Sequence, residues 1–387
     1  MIHVVGAGIA GLASALALRA AGLPVRVLER AAASSARGGG IGLTPNGMHA
    51  LHRLGVGDAV CARSVVQSEG GVRTPSGRWL ARSDLAFVHR RYGEHVRAML
   101  RRDLVAVLTA ALPPGTVHYG QTATLVASGS ASDPAWLRAG ADVVPSDLVV
   151  VADGIRSAVR ATLFPDHPGL RDCGSASWRA VVPAAGLTLV PAETWGAGLR
   201  LSILPLPAGL THFSALATDA AGAGATLDTL FGGWHDPIPR LLARAEDAEV
   251  HLDRIEELAA PLPALHRGRV VLVGDAAHPM APNVGLANVA LEDAVELAHR
   301  VDHTVGTADF AALVAALADY DRVRRPRVDR LARISRWTGR VVESAGPVAV
   351  AARNAGTWLG GLLPEAVSRR SLDILVGWSP PAGVRPG

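Results

Sequence analysis

The chain opens on an unbroken apolar run, Ile2-His-Val-Val5, then a glycine-studded turn, then an Ala/Leu-rich stretch from Leu12 to Ala21. Val25-Arg-Val-Leu-Glu29 follows as a second run. Short apolar runs bracketing a helical stretch are the pattern of parallel strands buried on both faces, so the opening predicts a βαβ unit. The same signature returns at Asp147-Leu-Val-Val-Val151 and at Val270-Val-Leu-Val273. Between them the text alternates. Trp178 to Val182, Leu199 to Leu206 and Leu210 to Ala217 read as antiparallel strands, with a hairpin turn at Pro205 to Gly209. Residues 65–92 read as short alternating segments around a turn at Pro75-Ser-Gly77, and Val117 to Val126 as one strand before a polar turn, Ser128 to Pro134. Helices are predicted from Pro45 to about Leu54, over Val96 to Leu112, and over Leu227 to Glu246 with breaks at Pro237 and Pro239. Further helices are predicted over Val289 to Arg300, 307–337 and 340–360.

The first turn carries Gly6, Gly8 and Gly11 in a GxGxxG arrangement. The first glycine permits the turn, the second lets backbone approach a pyrophosphate, and the third lets helix and strand pack closely. The free N–H groups and positive dipole end of the following helix then face phosphate. Glu29 closes the second strand 18 residues beyond Gly11, where an acid accepts hydrogen bonds from ribose hydroxyls. Strand, turn, helix and acid in register make this a dinucleotide site. Asp153-Gly154 ends the next buried strand, where open α/β sheets place ligand contacts. Gly274-Asp275 ends the one after, and helix N–H donors follow it. The glycine run Gly38 to Gly42 suits either backbone approach to a flat ring or a plain flexible loop.

Bulk properties narrow the class. A chain of 387 residues with 49% hydrophobic and 19% charged positions buries a large core and is globular. No uncharged apolar run is long enough to span a membrane. The first strand starts at Ile2, which leaves no leader ahead of it, and the expected location is the cytoplasm. Cys61 and Cys173 lack metal spacing, and no metal site is expected. All 38 cations are Arg, scattered except for Arg322-Val-Arg-Arg-Pro-Arg327, so the net charge of +4 does not point to nucleic acid.

Three stretches in this order resemble the single-component flavoprotein monooxygenases of the para-hydroxybenzoate hydroxylase fold. They are Gly6-Ala-Gly-Ile-Ala-Gly11 with Glu29-Arg30, Asp153-Gly154 within its strand-turn, and Gly274-Asp-Ala-Ala-His-Pro279. Ala290-Leu-Glu-Asp-Ala294 and Trp378-Ser-Pro-Pro381 also fit. The resemblance implies an α/β fold: a Rossmann-like FAD-binding domain (1–70, 96–176, 262–300), an inserted, mostly antiparallel substrate domain (71–95, 177–261) and a C-terminal helical segment (301–387). It also implies roles. Gly6, Gly8, Gly11, Glu29 and Arg30 would hold the ADP half of FAD, Arg101 would contact the cofactor, and Ala123 would meet adenine through its backbone. Asp153 would serve both FAD and the pyridine nucleotide, and Asp275 the ribityl or pyrophosphate part. The segment Pro282 to Asn288 would lie beside the isoalloxazine, with Gly42 on its other side. Where the family usually has Gly-Gln-Gly, this chain has Gly285-Leu286-Ala287, and alanine is tolerable there only at negative φ or with the ring slightly further off.

The implied activity is a monooxygenase reaction. NADH or NADPH reduces FAD, O2 adds at the flavin C(4a) atom, and the hydroperoxide passes one oxygen atom to an aromatic or polycyclic small molecule. Arg200 and His212 are the candidate catalytic residues: Arg200 to pair an anionic group, His212 to titrate near neutral pH as a base. Exposed strand residues are an equal reading of both. Trp178 reads as core, and His278 as a loop-packing histidine in preference to a base. The chain has only 3 Tyr and 5 Phe, so pocket walls of Ala, Val and Leu around a bulky apolar substrate are expected. The alternatives are a flavin epoxidase, a Baeyer–Villiger or desaturating enzyme, and a non-catalytic FAD-binding protein.

Overall fold

The computed structural model describes residues 1–34, 39–222, 225–302, 304, 309–362 and 365–381. Gly38 and the expected helix start at 307 lie outside them. A six-stranded sheet forms the base, in the order His266–Arg267, Val270–Leu272, Leu148–Val151, Ile2–Val5, Val25–Glu29, Val117–Tyr119. All its pairings are parallel except the edge pair of 266–267 with 270–272. Each of the three central runs is buried throughout, as two-sided cover by helices requires. Helices Ile9–Ala20 and Leu286–Val301 pack against one another beside it.

The second sheet has seven strands: His251–Leu258, Leu170–Pro183, Leu210–Thr218, Leu199–Pro205, Ala192–Trp195, Glu69–Arg73 and Trp79–Asp84. It is antiparallel except where 192–195 meets 69–73. Period-two alternation separates most of its side chains into two sets, with Ile203 reaching both. Leu201, Ile203, Phe213, Ala215 and Ala180 face helices Leu227–Phe231 and Ile238–Ala245 and form a second core with Phe231, Ile238 and Leu241. The alternate residues of the same strands, Ser177, Arg179, Arg200, Ser202, His212 and Ser214, face a cavity against the first domain. The architecture is thus a Rossmann-like domain with an inserted, mostly antiparallel sheet, closed by C-terminal helices.

Several local expectations are corrected. Val96 to Leu112 is not one helix: Arg97–Leu100 is a strand paired with Gly40–Leu43, and the helix is Arg101–Ala110. Pairing with a distant strand overrides local helical preference there. Val117 to Val126 breaks in two at Gly120, whose positive φ of 70° turns the chain out of the parallel sheet. Ala123–Ala127 then joins Ala135–Ala139 and Asp142–Ser146 in a small antiparallel sheet. Ala86–Tyr92, read as part of the alternating stretch, is a helix.

The long helix Phe310–Val342 carries Pro326 in its interior and still continues. Buried charge holds it at that point. Arg324, 1% exposed, donates to Glu292 Oε2 at 2.7 Å and Asp293 Oδ1 at 2.8 Å. Arg327 donates to both oxygens of Glu292 at 2.6 Å and to the Ile374 carbonyl at 2.9 Å. His278 bonds Asp293 Oδ2 through Nε2 at 2.6 Å, and the Gly274 N–H donates to the same oxygen at 2.9 Å. Asn46 adds a bond to Glu292 Oε1 at 2.6 Å. Burial alone would raise the Asp293 carboxyl, but His278 and Arg324 bring it down to about 2. Burial alone would lower His278, yet Asp293 raises it on balance. The basic run 322–327 is largely paired internally: Arg322 meets Asp319 and Arg325 meets Asp321.

Removing one member of such a cluster leaves opposite charges buried and uncompensated. Arg324→Met is expected to lower unfolding stability by about 3–5 kcal/mol, measured by urea unfolding against wild type; a change within experimental error contradicts the structural weight given to this cluster.

Candidate functional site

The three glycines of the first turn have separate reasons. Gly6 has φ 103°, and a Cβ there would run into the Ala152 carbonyl. A Cβ on Gly11 would collide with the Gly6 carbonyl oxygen. Gly8 is different: its backbone is extended, and a Cβ would point into space with nothing within 4 Å. That space is a cavity of about 280 Å³ lined by Gly6, Gly8, Glu29, Arg30, Ala123 and Asp153, among others. Glu29 accepts from the Ala7 N–H at 2.7 Å and the Ala31 N–H at 2.8 Å, which fixes its carboxylate at the strand end. Asp153 accepts weakly from the Val159 N–H at 3.4 Å through Oδ2, while its Oδ1 is buried with no partner. A buried carboxylate oxygen without a donor is a costly arrangement in an empty protein and a suitable one beside a ligand hydroxyl.

A second cavity of about 700 Å³ lies between the two sheets, and Arg156 borders both spaces. Its first-domain wall holds Gly40, Gly42, Asp275, Pro279, Met280, Pro282 and Leu286. Arg160 joins the two acid-bearing turns. It donates to the Ile155 carbonyl at 2.6 Å and to the Ala276 and Asp275 carbonyls at 3.0 and 3.3 Å. Burial lowers the pKa of this arginine, and the charges of Asp153 and Asp275 oppose that. It was not singled out in the sequence; its place between two motifs is visible only in three dimensions.

The turn Pro282 to Asn288 resolves the departure at Gly285-Leu286-Ala287. Gly285 takes φ 67° and caps the helix; Leu286 and Ala287 are its first two residues, and Ala208 is the sole non-glycine with positive φ among the described residues. Ala287 therefore meets the condition of negative φ. Asn288 locks this turn to the opposite wall: its Oδ1 accepts from the Thr44 N–H at 3.1 Å, and Nδ2 donates to the Gly42 carbonyl at 3.1 Å. Arg101 starts its helix with an N–H bonded to the Gly39 carbonyl at 2.9 Å, and its side chain is exposed.

Arg200 and His212 are both 8% exposed and share the large cavity, so neither is an exposed strand residue. Arg200 Nη1 donates to Asn283 Oδ1 at 2.7 Å. His212 donates from Nδ1 to the Ala180 carbonyl at 3.0 Å, which leaves Nε2 as the unprotonated nitrogen. The glycine run serves this histidine: a Cβ at Gly40 would strike the His212 side chain. Burial, with Arg179 nearby, pushes the imidazole down to about 4. The expectation of titration near neutral pH is therefore overturned, and His212 is a neutral hydrogen-bonding group. Trp178 packs in the second core as expected, whereas its neighbour Arg179 lines the cavity in an ion pair with Asp253. The expected aliphatic walls are present in part, in Ala192, Leu204 and Leu286 with Ile155, Ile203 and Ile255, but without valine and with a polar side that was not expected. The floor is a row of small hydroxyls, with Ser177 Oγ and Ser214 Oγ 2.9 Å apart and Ser202 beside them. His278 lies buried on Asp293 and does not line the large cavity.

Open space at Gly8, the unpaired Asp153 oxygen and two spaces meeting at Arg156 fit an extended dinucleotide, with the ADP half at Gly8 and Glu29. The ring would lie between Gly42 and the Pro282–Leu286 turn. The sequence model of the FAD binding domain family matches residues 1–201 and 256–335. The chain is 34% identical over 353 residues to an aurachin C monooxygenase/isomerase of Stigmatella aurantiaca, covering 87% of this chain and 90% of that protein. It is also 34% identical to a 3-amino-4-hydroxybenzoate 2-monooxygenase of Streptomyces cremeus, over 87% of this chain and 86% of that one. Klebsiella pneumoniae HpxO, solved with FAD and uric acid, superposes with a TM-score of 0.86 at 25% identity, over 99% of this chain and 98% of that one.

Two expectations follow. Gly8→Val should fold with near-normal stability, because its side chain meets only open space, yet purify without FAD; normal flavin content would contradict the pyrophosphate reading of Gly8. For His212 the folded value of about 4 lies below the ordinary histidine value. The unfolded chain therefore binds this proton first, so stability falls as pH drops from about 6.5 to about 4 and levels off below, by up to about 3 kcal/mol. His212→Gln lacks this contribution, so urea unfolding across that window should show its stability gaining on wild type; parallel curves would contradict it.

Proposed function

The chain belongs to the FAD-binding domain family and is an FAD-dependent monooxygenase, and we propose that it uses NADH or NADPH and O2 to place one oxygen atom on an anionic, ring-hydroxylated or amino-substituted aromatic molecule. The observation that carries the reading is Arg200. A guanidinium 8% exposed at the wall of a polar cavity, sharing its lining with Asp275, Pro282 and Leu286, suits the fixing of a carboxylate or enolate in front of a ring bound beside those residues. The similar proteins support the aromatic class by name: one acts on an aminohydroxybenzoate, and one was solved with uric acid.

When bound, FAD supplies the electron transfer and the activation of O2. This chain's residues do the rest. Gly6, Gly8, Gly11, Glu29, Arg30, Ala123 and Asp153 would hold the adenosine and pyrophosphate, with Arg101 at the edge. Asp275 would accept from the sugar-alcohol chain. Gly42, Pro282, Gly285, Leu286, Ala287 and Asn288 would border the ring, where the first N–H groups of helix Leu286–Val301 offer donors to a pyrimidine oxygen. Arg200 orients the substrate. His212, neutral and bonded to Ala180, presents Nε2 as an acceptor for a phenolic O–H or an amine N–H, not as a strong base at neutral pH. The hydroxyls of Ser177, Ser202 and Ser214 serve ring substituents from the floor. The two sheets flank the reacting atoms and would limit their contact with water.

The test is anaerobic reduction of the holoenzyme by each nucleotide, with aminohydroxybenzoates, hydroxybenzoates, urate and quinolones in turn, followed by mass analysis of the aerobic product. One compound should speed flavin bleaching greatly and yield a product one oxygen atom heavier; a product two hydrogens lighter would assign a desaturase instead. Flavin that neither nucleotide bleaches under any addition would overturn the enzyme mechanism and favour a binding role. With the accelerating compound, Arg200→Gln should raise KM about 10- to 100-fold, the range for losing a charged hydrogen bond, and an unchanged KM would remove Arg200 from substrate binding.

A further inference from the structure

Arg200 does not stand alone in its cavity. The Asn283 amide accepts from Arg200 Nη1 through Oδ1 at 2.7 Å and donates through Nδ2 to the Ser335 carbonyl at 3.0 Å. Ser335 returns a bond from its hydroxyl to the Ala281 carbonyl at 2.6 Å. One side chain therefore ties three elements: the cavity strand Leu199–Pro205, the turn leading from Ala281 to Gly285, and the long helix Phe310–Val342.

Neighbouring residues make room for the tie. Gly339 lies one helical turn beyond Ser335, and a Cβ there would sit 3.1 Å from Asn283 Nδ2, tighter than ordinary packing. Glu343, just past the helix end, is close enough to feel Arg200: burial raises its carboxyl, and the guanidinium opposes the rise. Arg200 is thus hydrogen-bonded at one nitrogen by a neutral amide, with the Glu343 carboxyl near it. An amide is the side chain suited to this, since it accepts from a guanidinium and donates to a carbonyl at once. A carboxylate there would face the Ser335 carbonyl, and an aliphatic group would leave both partners unpaired.

We propose that Asn283 is a positioning residue for Arg200: it fixes the guanidinium against the turn 281–285, presents the remaining N–H edge to a substrate anion, and passes the arrival of that anion to the turn. Pro282 and Leu286, on either side of this bridge, line the same cavity on the flavin side. An anion on the remaining N–H edge pulls on a guanidinium still bonded to Asn283, and that pull passes through the amide to the turn, whose other hold is the Ser335 carbonyl. This inference rests on Arg200 being the anion-binding group.

The experiment uses holoenzyme and benzoate as an anionic, unreactive probe, with two readouts: affinity by calorimetry, and the change in the visible flavin band during titration. Wild type should bind benzoate and show the band change. Arg200→Gln should bind at least about tenfold more weakly. Asn283→Ala should keep its FAD, bind benzoate several-fold more weakly, and at saturation lose more than half of the band change. Should Asn283→Ala purify without flavin, Asn283→Ser, which keeps a shorter oxygen acceptor, is read by the same criteria. Asn283→Ala with wild-type affinity and a full band change would overturn the positioning role while leaving Arg200 intact. Wild type and Arg200→Gln binding benzoate equally, or not at all, would overturn the anion role beneath it.

Discussion

The buried cluster of Arg324, Arg327, Glu292, Asp293, His278 and Asn46 is the joint on which this molecule depends. Its six members come from four parts of the chain: Asn46 from helix Pro45–Arg53, His278 from the turn after Asp275, Glu292 and Asp293 from helix Leu286–Val301, and Arg324 and Arg327 from helix Phe310–Val342. Desolvating this many charges is unfavourable unless the geometry satisfies nearly all of them. The carboxylates of Glu292 and Asp293 are bonded on both oxygens, so the geometry meets that demand. The consequence reaches the site. Asp293 holds the Gly274 N–H, one residue before Asp275.

Around that joint, two walls are assembled by close approach. On one side Gly40 admits His212, and Asn288 stitches Gly42 and Thr44 to helix Leu286–Val301. On the other, strict alternation in the seven-stranded sheet sends every second side chain into the cavity. The same alternation buries Phe213, Leu201 and Ile203 behind them. The packing that stabilises the sheet therefore also dictates which residues can meet a substrate. A one-residue slip would exchange the serine floor for the apolar core.

Electrostatics in the cavity follow burial and partner. His212 loses its basicity because it is enclosed and its single strong bond is to a carbonyl. Arg200 is held instead by the Asn283 amide, with the Glu343 carboxyl close enough to feel its charge. The two residues sit on adjacent antiparallel strands yet have opposite electrical characters. A histidine read from sequence as a near-neutral base becomes a hydrogen-bond acceptor once its surroundings are known.

The sequence by itself determined the strand–turn–helix opening, the two acid-bearing strand ends, the alternation of the inserted sheet and the family resemblance. These are local signals: each depends on residue types at fixed short spacing, and short spacing is preserved in the fold. Tertiary structure alone decided that Arg97–Leu100 is a strand, because its partner Gly40–Leu43 lies more than fifty residues earlier. It alone decided that Arg324 and Arg327 face acids of another helix, that Arg160 bridges two turns, and that serines line the cavity floor. Aromatic content counted along the chain could not reveal that floor, since which residues face a cavity depends on strand register and sheet packing. Ala287 shows the boundary most plainly. Its identity was readable as a departure, but its harmlessness to the backbone depended on a φ that only the folded helix start could supply.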